Sequence, residues 1–186
     1  MKFTGIYKMV IVQLLFENRI TGCGKGENCF KMMENNITAA YNMDIIRKML
    51  DDDGQDIDEK QAMGYTALMM GVVSGHDELV DFLLERKADA NIANDAGNTP
   101  LIMAVKLHRK KMIGMLLAYG ADPDIQGYDG FTALMLAVKD NEMSVVSELL
   151  KNGADIRPVN KYGKSAMGIA EMYENNEMVR LLKEKK

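Results

Sequence analysis

The sequence predicts an all-α solenoid of stacked helix-turn-helix units, and three periodic series lead to this prediction. Four glycines recur at an interval of 33 residues, and a hydroxyl residue stands two positions after each of them. The glycines are Gly64, Gly97, Gly130 and Gly163, and the hydroxyl residues are Thr66, Thr99, Thr132 and Ser165. An apolar series keeps the same interval at Leu83, Leu116, Leu149 and Leu182. A fixed period over four copies indicates a repeat protein.

Each unit is predicted to contain two helices joined by a turn. A first helix is predicted over 66–73, because Thr66 can cap it and apolar residues follow at helical spacing. A second helix is predicted over 77–85, and in later units the equivalent helix ends at Gly120 and Gly153. One helix pair cannot bury its apolar face alone, so we expect neighbouring pairs to stack around a continuous core.

Two segments of the chain resemble the ankyrin repeat. Residues 98–104 read Asn-Thr-Pro-Leu-Ile-Met-Ala, and residues 116–124 read Leu-Leu-Ala-Tyr-Gly-Ala-Asp-Pro-Asp. The resemblance covers about 155 residues, from roughly Asn28 to the C-terminus. It implies an L-shaped stack of helix pairs, with β-turn fingers at right angles to the helices and a concave face that binds a partner.

The chain departs from the ankyrin pattern at two kinds of position. The histidine of the family's Thr-Pro-Leu-His motif is replaced in every unit, so the hydrogen bonds that it makes are expected to be absent. The replacements are Met69, Ile102, Met135 and Gly168. Lys87 also stands where later units have the glycine that ends the second helix.

The repeat register divides the chain into five predicted units, at 28–60, 61–93, 94–126, 127–159 and 160–186. The first is expected to be a degenerate N-terminal capping repeat, because Lys31 occupies the glycine position although Leu50 and Asp56 keep the register. The last ends in charged residues and is expected to be the C-terminal capping repeat.

Residues 1–22 have two interpretations, which the sequence leaves open. A basic start, an apolar run over 9–16 and Ile-Thr-Gly before Cys23 resemble a bacterial lipoprotein signal peptide, with lipid on Cys23 and a tether over 23–27. Glu17 and Arg19 oppose this interpretation, and the apolar spacing also fits an extra N-terminal helix packed on the first unit. The first interpretation predicts a location in the cell envelope, and the second a location in the cytoplasm.

Several other classes of function find little support in the composition. A net charge of −4 disfavours a dedicated nucleic-acid-binding protein, and the longest uncharged apolar run, over 9–16, is too short to span a bilayer. Two cysteines cannot form a four-cysteine metal site. His76 and His108 lie in turns, and the periodicity places no nucleophile or carboxylate beside them. We therefore expect a monomeric, non-enzymatic protein without a cofactor or a metal.

The resemblance implies that the finger positions beside each glycine, and two at the end of each first helix, face a protein partner. Five of these twenty positions are aromatic, whereas random placement at 6% gives about one. Aromatic side chains are enriched at binding hot spots. Phe131 and Tyr162 are also expected to pack between neighbouring fingers. The predicted partner-binding residues are Tyr65, Asp95, Asn98, Lys106, Tyr128, Phe131, Lys139, Asp140, Tyr162, Lys164 and Tyr173.

The function predicted from these residues is that of a protein-binding module. The aromatic residues are expected to anchor the partner, and the charged ones to tune specificity and association rate. The alternative is an envelope-anchored lipoprotein whose repeats serve as a structural or accessory scaffold.

Overall fold

A computed structural model describes residues 56–184 of the chain. The predictions for 1–22, the tether over 23–27, Cys23 and most of 28–60 lie outside these residues. The described part contains eight α-helices in four consecutive pairs. They are α1 (Ala67–Ser74), α2 (Asp77–Glu85), α3 (Pro100–Lys106), α4 (Lys110–Ala118), α5 (Ala133–Lys139), α6 (Met143–Lys151), α7 (Ala166–Met172) and α8 (Asn176–Lys183).

Every first helix of a pair begins after a side-chain cap, as the sequence predicts. The Oγ1 atom of Thr66 accepts a hydrogen bond from the backbone N–H of Met69 at 3.4 Å. Thr99, Thr132 and Ser165 cap α3, α5 and α7 in the same way, at distances of 3.2–3.3 Å. Such a cap satisfies one of the unpaired N–H groups of the first turn and stabilises a helix by about 1 kcal/mol.

The helices form two layers. The first helices pack side by side, α1 on α3, α3 on α5 and α5 on α7, while α2, α4 and α6 form the second layer. The first helices contact one another more closely than the second helices do. Each second helix also packs against the first helix of its own pair. The result is the predicted solenoid, in which every pair covers the apolar face of the next.

The periodic leucines form the centre of the core. Leu83, Leu116, Leu149 and Leu182 are completely buried. Full burial of a leucine side chain contributes roughly 1.5–3 kcal/mol to folding. Where the family has histidine, Met69, Ile102 and Met135 are also buried, so these positions contribute apolar packing instead of hydrogen bonds.

A ladder of polar side chains joins the loops that follow the second helices. Asp58 accepts a hydrogen bond from the backbone N–H of Asp89, in the next loop, at 2.9 Å. Asn91 and Asp124 each accept the same bond from the loop that follows theirs, at 2.7 Å. Because the three acceptors stand 33 residues apart, each loop fixes the spacing of its neighbour.

Three of the second helices, α2, α4 and α6, are followed by residues in the left-handed backbone region. Gly120 and Gly153 have φ values of 87° and 88°, as predicted, and Lys87 has a φ of 64° at the equivalent position. The hydrogen bonds are also equivalent, since Ala88 N–H binds Leu83 C=O at 3.0 Å and Ala121 N–H binds Leu116 C=O at 2.9 Å. Lys87 therefore adopts a conformation that suits glycine, at a cost of roughly 1–2 kcal/mol.

Replacement of Lys87 by glycine is expected to stabilise the protein. Lys87→Gly removes the steric strain and should raise the free energy of unfolding by about 1 kcal/mol. Gly120→Ala is the matched opposite change, because a Cβ at Gly120 meets no atom within 4 Å and only the backbone strain is added. Urea denaturation of both variants measures these effects. A Lys87→Gly variant less stable than the unaltered chain would contradict the assignment of strain.

Candidate functional site

A β-turn, here called a finger, precedes each first helix. The four fingers lie at 61–66, 94–99, 127–132 and 160–165, and each is closed by a hydrogen bond from the repeat glycine to the first residue of the turn, at 2.8–3.0 Å. In two of them the first residue is an asparagine, Asn94 or Asn160. Each asparagine Oδ1 accepts hydrogen bonds from the backbone N–H groups two and four residues later, at 3.0–3.1 Å.

The other two fingers have a different turn geometry. They begin at Gln61 and Gly127, which provide no such acceptor. Their third residues, Met63 and Asp129, take positive φ values of 60° and 62°. Positive φ at the third residue is a requirement of type II turns, whereas asparagine at the first residue favours type I. Fingers of the two kinds therefore alternate along the array.

The hydrogen bonds between neighbouring fingers follow the same alternation. The C=O of Met63 accepts a hydrogen bond from Asp95 N–H at 3.1 Å, and the C=O of Asp129 accepts one from Lys161 N–H at 2.9 Å. Within the described residues, no backbone hydrogen bond connects the 94–99 finger to the 127–132 finger. Among the fingers between residues 61 and 165, the central pair is therefore the neighbouring pair without this bond.

A side-chain bridge shows the same alternation. Lys60 Nζ donates to the C=O of Ala93 at 2.8 Å, and Gln126 Nε2 donates to the C=O of Val159 at 2.9 Å. The equivalent residue in the repeat between them is Ala93, whose methyl group cannot donate a hydrogen bond. The junction between the 94–99 and 127–132 fingers therefore lacks both kinds of bridge.

A cleft opens at this junction, with a volume of about 160 Å³. It is lined by residues of both fingers and of α3 and α5, namely Asn98, Ile102, Lys106, Tyr128, Asp129, Phe131, Leu136 and Lys139. Gly127 allows the two fingers to approach each other beside the cleft, because a Cβ there would come within 2.8 Å of Ile102 Cδ1 and 3.1 Å of Asn98 Oδ1. We call this space the central cleft.

Two lysines give the central cleft its charge. The ammonium of Lys106 donates a hydrogen bond to Asn98 Oδ1 at 2.9 Å. Desolvation, and secondly repulsion by Lys139, lower the pKa of Lys106, while Asp129 acts in the opposite direction. Burial and a neighbouring like charge therefore both disfavour the charged form of Lys106.

An aromatic cluster with an ion pair at its centre lies beside the central cleft. Lys161 forms an ion pair with Asp129, and its ammonium lies over the rings of Tyr128 and Tyr162 at 5.5 and 5.1 Å from their centroids. Tyr162 OH donates to Asp129 at 3.4 Å, and its ring packs edge-on against Phe131 at 6.4 Å. This pair of rings confirms the expected packing between fingers. The carboxylate of Asp129 raises the pKa of Lys161, so the cation at the centre of the cluster is stabilised.

A comparison with protein families identifies the architecture. A family model described as ankyrin repeats, in three copies, matches residues 36–127 and 122–186. The chain belongs to the ankyrin repeat family. Ankyrin repeats are protein–protein interaction modules and are typically not enzymes. No curated protein matches the sequence significantly.

The ankyrin fold brings together five of the predicted partner-binding residues. Those that line the central cleft are Asn98, Lys106, Tyr128, Phe131 and Lys139. Four others are exposed but lie outside it, namely Asp95, Asp140, Lys164 and Tyr173. Tyr162 lies beside the cleft through its contact with Phe131.

The prediction for Tyr65 is wrong. Its side chain is 7% exposed and belongs to the hydrophobic core, and burial raises the pKa of its hydroxyl against the effect of a hydrogen bond with Asn94. The physical reason is the turn of its finger, in which the left-handed Met63 projects into solvent instead, 53% exposed. Tyr65 therefore stabilises the array and cannot serve as an exposed anchor.

Sequence reasoning did not select four residues of the site, namely Ile102, Asp129, Leu136 and Lys161. Ile102 and Leu136 are buried helix residues that form the cleft floor. The sequence does contain a feature that marks this junction. At the first position of the finger, Gly127 stands between two repeats that have asparagine there, Asn94 and Asn160.

The structure corrects the expectation that no carboxylate stands beside a histidine. Glu142, in the turn of the next repeat, lies 3.2 Å from His108 Nδ1 and 2.8 Å from Lys110 Nζ. The hydrogen bond from Lys110 lowers the pKa of Glu142. His108 is exposed and the group lies outside the central cleft, so these contacts join two repeats electrostatically.

Two other kinds of site are absent from the part of the chain that the structure describes. Between 56 and 184, no group of histidine, cysteine, aspartate and glutamate side chains has an arrangement suited to a metal ion. In the same range, none of the helices has the length and hydrophobicity needed to cross a membrane.

The Glu142 ion pair predicts an acid-sensitive contribution to stability. Because the folded-state pKa of Glu142 is below its ordinary value of 4.5, its contribution is present above pH 4.5 and lost as pH falls through the folded-state pKa. Glu142→Gln should therefore lower the free energy of unfolding at pH 7, and the difference from the unaltered chain should decrease below pH 4.5.

Urea denaturation between pH 3 and pH 7 measures this difference. Glu171→Gln is the control, because Glu171 is exposed and has no ion pair among residues 56–184. An effect of Glu142→Gln that is the same at every pH would contradict the assignment.

Proposed function

We propose that the chain binds a partner protein through the central cleft and the adjoining concave face, with Tyr128 as the main anchor. The main support for this proposal is that Tyr128 is exposed and yet held in position. It is 65% exposed, and its ring contacts the ammonium of Lys161, which forms an ion pair with Asp129. An exposed aromatic ring held in one position loses little conformational entropy on binding.

The surface around Tyr128 supports the proposal. Central binding anchors are surrounded by contacts that contribute little energy themselves but exclude water. Lys106 and Lys139 line the cleft together with Tyr128, and the remaining charged predicted residues, Asp95, Asp140 and Lys164, are exposed. We infer that these charges set specificity and association rate more than affinity.

The array offers further apolar contact area on the last repeat. Met172 and Tyr173, at the C-terminal end of α7, are 56% and 54% exposed, and Tyr162 is 62% exposed. Isolated exposed apolar residues are ordinary, but these three belong to the finger and first helix of one repeat. We propose that a partner longer than the central cleft continues onto this surface.

Replacement of Tyr128 should separate partner binding from folding. Tyr128→Ala removes the anchor and should weaken binding by roughly 2 kcal/mol or more, as at other hot spots. Its effect on the free energy of unfolding should be small, because the ring is exposed. Tyr119→Ala is the matched control, since Tyr119 is 47% exposed and lies outside the cleft, at the end of α4.

The experiment places a photo-crosslinking benzophenone residue at position 128 or 119 of the full chain in the cell that makes it. A discrete crosslinked protein should appear when the probe is at position 128 and should be absent when it is at position 119. Once identified and purified, that protein should bind the Tyr128→Ala variant less tightly than the Tyr119→Ala variant. Equal crosslinking from both positions, none from position 128, or equal binding by the two variants would contradict the proposal. The last result, together with lipid on Cys23, would favour the envelope-anchored scaffold.

A further inference from the structure

The positive charges of the central cleft are not matched by negative charges that are free to pair with them. Lys139 lines the cleft and forms no ion pair within residues 56–184, and the Lys106 ammonium contacts the uncharged amide of Asn98. Asp129 is the carboxylate that lines the cleft, and it is already paired with Lys161 and hydrogen-bonded by Tyr162. Within residues 56–184, neither lysine therefore forms an ion pair.

From this arrangement we infer that the central cleft receives a carboxylate side chain, aspartate or glutamate, from an acidic segment of the partner. The inference rests on the proposed function and names the chemistry of the group that enters the cleft. The carboxylate would lie between the ammonium groups of Lys106 and Lys139, where two charge-assisted hydrogen bonds are available to it. Such an anion also relieves the repulsion between these lysines.

The shape and walls of the cleft suit this guest. A volume of about 160 Å³ is of the order of one side chain, so an extended segment can insert a residue whereas a folded domain cannot enter. Ile102, Phe131 and Leu136 provide an apolar floor for the methylene groups that precede a carboxylate. The NH₂ group of Asn98 donates to no atom of the described residues and adds a neutral donor.

The apolar part of the cleft lining distinguishes a carboxylate side chain from inorganic phosphate. Ile102, Phe131 and Leu136 line the cleft, and the methylene groups of aspartate or glutamate can pack against them. Inorganic phosphate has no such groups, so the lining favours the side chain.

The test is a titration of the full, ¹⁵N-labelled chain with the peptide acetyl-(Ala-Glu)₄-amide. Chemical shifts of Asn98, Lys106, Tyr128 and Lys139 should change most. The same peptide with glutamine in place of glutamate should bind at least about tenfold more weakly, since it lacks the charge. Raising the ionic strength should weaken the binding of the glutamate peptide, because partly exposed charges are screened.

Two double variants with equal net charge locate the effect. Lys106→Gln with Lys139→Gln should weaken binding of the glutamate peptide at least about fivefold, whereas Lys151→Gln with Lys183→Gln should have little effect. Lys151 and Lys183 are exposed and lie outside the cleft. The Lys139→Gln single variant keeps the Lys106–Asn98 bond, so it shows the loss even if the double variant is destabilised.

Four results would overturn the inference. They are equal weakening by both double variants, equal binding of the glutamate and glutamine peptides, shift changes away from the cleft, and tighter binding of inorganic phosphate at the same amides. If the glutamate peptide does not bind but the crosslinked partner still depends on Tyr128, the carboxylate inference fails and the proposed function stands. If neither depends on the cleft, both fail.

Discussion

The contact between neighbouring helix pairs is the interaction on which the rest of the structure depends. A pair such as α3 and α4 has an apolar face that it cannot cover alone, so its helices become stable only when the next pair packs against them. The periodic leucines set the spacing of this packing, because the row from Leu83 to Leu182 is fully buried. The fingers precede the first helices directly, and their distance from one another is therefore fixed by the same contact.

The central cleft arises from a small local exception within this regular stack. At the outer junctions a carbonyl oxygen, Met63 or Asp129, and a long side chain, Lys60 or Gln126, connect one finger to the next. At the central junction the side-chain donor is missing, because Ala93 occupies its position. The helices beneath keep the fingers at the regular spacing, so the missing bridges leave an open space instead of a collapsed turn.

The sequence was sufficient for the elements that local interactions decide, and insufficient for those that depend on a neighbouring repeat. The cap at Thr66 and the left-handed Gly120 act within a few residues, so the period reveals them directly. Tyr65 was assigned wrongly because its burial depends on the turn geometry of its own finger and on Asn94 in the next one. The Glu142–His108 contact and the cleft each involve residues about one repeat apart in the sequence. A periodic pattern shows that such residues occupy equivalent positions, but it does not give the distance between their side chains.

Because packing between helix pairs sets the distance between the fingers, we expect α3 to α6 to unfold as one cooperative stack and the cleft to keep its shape without a ligand. Native-state amide hydrogen exchange of the full chain, with no ligand present, tests this expectation. The core amides of α3, α4, α5 and α6 should exchange with one common opening free energy. If α3 and α4 opened together at a clearly lower free energy than α5 and α6, the two walls of the cleft would separate independently, and a cleft formed in advance of binding would be excluded.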